Sequence, residues 1–168
     1  MNRPTESDLK CIEEQLGRKP RDVHAIAYRC PCGQPGVVET NSRLADGTPF
    51  PTFYYATCTK LTAAISTLES TGLMMDMNRR LSEDAELASA YAAAHGDYLA
   101  ARAVLGVNVP EIANISAGGM PDRVKCLHAL VAHSLAAGLG VNPLGDEALE
   151  KLSEWWSQPT CGTEQLCE

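Results

Sequence analysis

The chain has 168 residues, of which 45% are apolar and 21% charged, with a formal net charge of −7. That length suffices for a buried core, and the acidic balance argues against a nucleic-acid surface, which needs an excess of Lys and Arg on some face. No apolar run approaches the roughly 18–20 residues that span a bilayer, and the first residues are polar, so a cytoplasmic protein with reduced thiols is expected.

In chain order, Thr5-Glu6-Ser7-Asp8 is a helix start, followed by Leu9, Ile12 and Leu16 as a stripe and Gly17 as its stop. Residues 23–28 and 37–40 predict two paired strands around a turn carrying Cys30 and Cys32, and 52–57 predict a third. The polar stretch 41–51 between them is an ordered loop. Helical composition then takes over at 61–70, 73–81 and 83–105. Pro121 opens a further helix to about Ala137, and Asp146 caps a last one running through Trp155 and Trp156. The expected fold class is α+β, a small antiparallel sheet carrying cysteines packed with a helical bundle. Residues 1–156 form its single domain, and 157–168 form a mobile tail holding Cys161 and Cys167.

Seven cysteines cannot all pair internally, and in a reducing compartment closely spaced cysteines point to metal or redox chemistry. In Arg29-Cys30-Pro31-Cys32-Gly33 the proline stiffens the backbone between two thiols. Cys58 ends the third predicted strand, and Cys126 lies early in a predicted helix beside Arg123 and Lys125. The leading expectation is that Cys30, Cys32, Cys58 and Cys126 converge on one metal site, an iron–sulfur cluster ahead of zinc. The alternative is that buried cysteines merely pack. On that helix His128 is turned by about 200° from Cys126, and His133 is roughly 10 Å away, two turns on. Both histidines are therefore left out of the ligand set.

A second constellation lies on the long helix. Tyr91, His95, Tyr98 and Arg102 recur at steps of four, three and four, which places them on one face. With Gly118, Gly119 and Arg123 they predict a pocket for a small anion, phosphate or carboxylate, in an enzyme or sensor. The plainer alternative is a buried hydrogen-bonding seam between helices.

Four blocks carry a family resemblance: 16–21, 29–35, 46–54 and 117–128, the last reading Ala117-Gly118-Gly119-Met120-Pro121-Asp122-Arg123-Val124-Lys125-Cys126-Leu127-His128. Over roughly residues 9–156 the chain resembles the bacterial family catalogued as domain of unknown function number 501. The resemblance implies a cytoplasmic bacterial protein and brings no established activity.

Overall fold

The computed structural model describes residues 2–157, so the predicted tail beyond them, with Cys161 and Cys167, lies outside the described residues. The chain opens with helix α1, Glu6–Leu16. Thr5 and Asp8 form a reciprocal capping box at its start, and Gly17 ends it in the left-handed conformation that glycine adopts without strain. Strands β1 (Val23–Arg29), β2 (Pro35–Thr40) and β3 (Tyr54–Ala56) make one antiparallel sheet in the order β1-β2-β3. The fold is α+β, as expected. β3 is shorter than predicted: Tyr98 Oη takes the N–H of Phe53 at 2.6 Å, while the Phe53 carbonyl still accepts from Thr40 N of β2 at 2.9 Å.

The remaining helices are α2 (Thr59–Glu69), α3 (Leu73–Glu83), α4 (Ala85–Ala103), α5 (Leu127–Ala137) and α6 (Pro143–Glu150). Among the described residues none is long and apolar enough to cross a membrane. α5 is the central element, packed against α2, α6 and the sheet. Leu127 and the run from Ala129 to Ser134 are all buried, so the helix is covered nearly all round. Gly145 lets α6 approach closely, since a Cβ there would collide with the Leu130 carbonyl and Ser134 Oγ.

Two helix starts depart from expectation. α6 is capped by Asn142, whose side chain accepts from Gly145 N at 3.0 Å, and Pro143 fills the first turn. The helix ends at Glu150, well before the two tryptophans. More consequential is α5, which begins at Leu127 and not at Pro121. Asn78 on α3 brackets Val124, donating to its carbonyl at 2.9 Å and accepting from its N–H at 2.8 Å, as a neighbouring strand would. Lys125 N donates to Gly118 O at 2.7 Å. The segment before Cys126 is thereby held outside a helix, and Cys126 becomes the extended residue preceding α5.

Candidate functional site

A cleft of about 840 Å³ runs between β3 with its flanks and the 115–126 loop. Its size is that of a small-molecule site. Cys126 and His128 line it, with Thr62 of α2 beside them. Because Cys126 lies just outside α5, the wheel geometry that separated it from His128 does not apply, and the Cys126 sulfur approaches a His128 ring nitrogen to within 4.8 Å. This removes the helix-geometry ground on which His128 was set aside. Glu69, at the end of α2, completes the group: the Cys126 sulfur, a His128 ring nitrogen and a Glu69 carboxylate oxygen all lie within 4.8 Å of one another. Among the described residues no other three His, Cys, Asp or Glu side chains meet so closely.

The hydrogen bonds around the group define its chemistry. His128 Nε2 lies 3.2 Å from the Thr62 carbonyl, which can only accept, so that nitrogen carries a proton. His128 Nδ1 lies 3.1 Å from Glu69 Oε1, which also accepts from Leu127 N at 2.7 Å and so caps α5. Cys126 and Glu69 together push the His128 pKa up to about 9, against the opposing effect of burial. The imidazolium in turn holds the Cys126 thiol below its ordinary value, again against burial. Without a metal this is a thiol–imidazole–carboxylate array in which the charged forms of Cys126 and His128 are each favoured by the other.

Cys30, Cys32 and Cys58 lie elsewhere, around Tyr28, whose hydroxyl pKa is raised by burial first and then by these three thiols. Cys30 and Cys58 are buried, and Trp155 Nε1 donates to Cys30 Sγ at 3.5 Å. Gly36 lies against this sulfur, since a Cβ there would stand 3.0 Å from it. Cys126 keeps company with Glu69 and His128 instead. Among the described residues, no three of the four sulfurs expected to share one ion lie within 4.8 Å of one another. His133, the other histidine set aside, is fully buried, with Nε2 2.9 Å from Asp97 Oδ1 and Nδ1 3.2 Å from Asn142 Nδ2.

The stripe on α4 does share a face, and its polar atoms go to the protein itself. Tyr91 Oη donates to Arg123 O at 2.9 Å, and Tyr98 Oη accepts from the N–H groups of Phe53 and Tyr54. Burial raises the Tyr91 pKa and pushes that of Tyr98 up to about 12. Arg102 donates to the carbonyls of Pro51, Ile115 and Ile112 at 2.7–2.9 Å. His95 Nδ1 lies 2.7 Å from Ser116 Oγ, and burial lowers its pKa. These four residues form a seam that pins loops to α4, and none of them lines the main cleft. Gly118, Gly119 and Arg123 do line it. Glu69 and Thr62 carry no local signal in the sequence. The Cys126-Leu127-His128 spacing could have paired the first and third residues had the stretch been read as extended.

The model of the family described as Protein of unknown function (DUF501) matches residues 26–150, and the chain belongs to that family. No curated protein and no solved structure matches.

Proposed function

We propose that the protein is a metalloprotein whose ion, of the zinc class, is held by Glu69, Cys126 and His128 at the wall of the main cleft. The observation that carries this reading is the mutual approach of one sulfur, one imidazole nitrogen and one carboxylate oxygen within 4.8 Å. A thiolate, an imidazole and a carboxylate are all zinc ligands, whereas an iron–sulfur cluster is held chiefly by thiolates, so the mixed set favours zinc. The second layer also fits. With Nδ1 turned to a metal, Nε2–H would keep its bond to the Thr62 carbonyl, the partner that fixes the ring of a metal-bound histidine. Thiolate and carboxylate together neutralise a divalent ion. Three protein ligands leave a fourth position for water or substrate, as in catalytic rather than closed structural sites.

The test is metal content and affinity. Protein purified without chelator should carry about one zinc per chain, and Cys126→Ala or His128→Ala should lose it while still melting cooperatively. One observation favours a second reading, a metal-free nucleophile: both His128 ring nitrogens already face acceptors. In that case the wild type binds no zinc tightly, and Cys126 alkylates at neutral pH far faster than Cys126 in His128→Gln.

A further inference from the structure

The cleft wall opposite β3 is built from the same loop that delivers Cys126, and it carries features the metal group does not use. Gly118 and Gly119 both have positive φ, +70° and +94°, and both line the cleft. Among the described residues neither glycine N–H has a hydrogen-bond partner. Successive backbone N–H groups in such conformations form a concavity suited to an anion. The glycines are also required sterically. A Cβ on Gly118 would meet Leu130 Cδ2 at 2.8 Å, and one on Gly119 would meet Arg123 O at 2.6 Å and Lys125 Cγ at 3.1 Å. The Lys125 stem therefore lies against Gly119.

Arg123 and Lys125 flank this turn and line the cleft, and among the described residues neither forms a salt bridge. Every other arginine from Arg29 to Arg102 is committed to a carboxylate or to carbonyls. In a chain of net charge −7, two uncommitted cations on one cleft wall are a local inversion of sign. Asp122 also lines the cleft and supplies the one opposing charge on this loop. Meanwhile the backbone under the two cations is clamped: Tyr91 Oη holds the Arg123 carbonyl at 2.9 Å, and Gly118 O holds Lys125 N at 2.7 Å. A rigid backbone bearing unpaired cations suits binding more than self-stabilisation.

We infer that the Gly118–Gly119 turn with Arg123 and Lys125 is the recognition site for the phosphate group of a small phosphomonoester, bound in the cleft beside the Glu69–Cys126–His128 centre. This rests on the metal reading only in that a phosphate oxygen would reach the open coordination position. Phosphate is favoured over carboxylate on charge and donor count. A phosphomonoester carries about −1.5 to −2 at neutral pH and three strongly accepting oxygens. Two cations balance that charge, and a guanidinium fork, an ammonium and two N–H groups outnumber what one carboxylate uses. The cleft, at about 840 Å³, leaves room for the organic part of a metabolite-sized ligand.

The experiment is calorimetric titration of zinc-loaded protein with inorganic phosphate, phenyl phosphate and benzoate, using wild type and the double variant Arg123→Gln/Lys125→Gln. Both side chains are exposed, so the variant keeps the fold. Phosphate and phenyl phosphate should bind, and the variant should bind them about tenfold more weakly or worse, with unchanged zinc content. Benzoate binding as tightly as phenyl phosphate would overturn the phosphate assignment. Equal phosphate affinity in both proteins would overturn the site. Should the wild type take up no zinc, the metal reading fails by itself. The same titrations on metal-free protein then decide the subsite, through dependence on Arg123 and Lys125 or its lack.

Discussion

Two cysteine neighbourhoods of the chain have opposite physical characters. Around Tyr28, Cys30 and Cys58 are buried amid apolar neighbours, and the Cys30 sulfur receives an indole N–H. Burial there disfavours charge, which is why the Tyr28 hydroxyl is driven up. At the start of α5, Cys126 is half-buried, opens onto the main cleft and is paired with an imidazole that a carboxylate supports. The comparison teaches that a thiol's role follows from what shares its pocket more than from how closely cysteines are spaced in the chain.

The largest effect that could break this comparison is on metal affinity. Cys126→Ala and His128→Ala should weaken zinc binding by at least about 100-fold, since even second-layer changes cost 10–100-fold. Cys30→Ser and Cys32→Ser should leave zinc stoichiometry unchanged, as read by chelator competition and elemental analysis. Metal lost from Cys30→Ser but retained in Cys126→Ala would reverse the assignment and restore the Tyr28 group as the centre.

Next in size is Arg102, the cation that looked available for a ligand in the sequence. Three loop carbonyls depend on it, and it is 6% exposed. Arg102→Ala leaves those carbonyls unpaired and should cost about 3–5 kcal/mol in urea unfolding. Adding phosphate should shift the midpoints of wild type and mutant equally, because Arg102 borders a separate cavity of about 180 Å³ and not the main cleft. A phosphate shift confined to the wild type would return Arg102 to a binding role.

Smaller still is the cost of Cys30→Ser, about 1–2 kcal/mol, from burying a hydroxyl where a sulfur now packs. Trp155 N–H remains able to donate to the new oxygen, which keeps the loss at the low end. A melting curve that loses cooperativity in this variant would show that the Tyr28 group does more than pack.

The smallest effect is pH-dependent and belongs to the ion pair of Asp8 with Arg29, the residue that precedes Cys30. Asp8 is held well below the usual carboxylate range chiefly by the hydrogen bond to Arg29, at 2.7 Å, reinforced by the Thr5 cap. Its folded value lies below its unfolded one, so its stabilisation is complete above about pH 4 and disappears as pH falls through the folded value. Arg29 is 40% exposed, which weakens the pair by solvent screening. Asp8→Asn should therefore cost about 1 kcal/mol at neutral pH. The gap between wild type and variant should narrow as pH falls below about 4; a gap that does not narrow with falling pH would assign the effect to the cap alone.

Most of the fold was legible because local chemistry states it. Thr5 with Asp8, Gly17, the β1 and β2 runs and the polar breaks between helices each follow from residues within one or two turns of each other. The shared face of Tyr91, His95, Tyr98 and Arg102 was equally readable, since helix period alone sets it. What those side chains touch was not readable, because their partners are backbone carbonyls and amides many residues away. The start of α5 shows the same limit more sharply. Sequence signals favour a helix from Pro121, yet Asn78 captures Val124 and Glu69 caps Leu127, both reaching from other helices. Those two long-range contacts hold Cys126 outside α5 and put it beside His128. The residue types of this group are thus written in the chain, while their meeting is decided by tertiary hydrogen bonds, whose sequence separations of 46 and 58 no local pattern encodes.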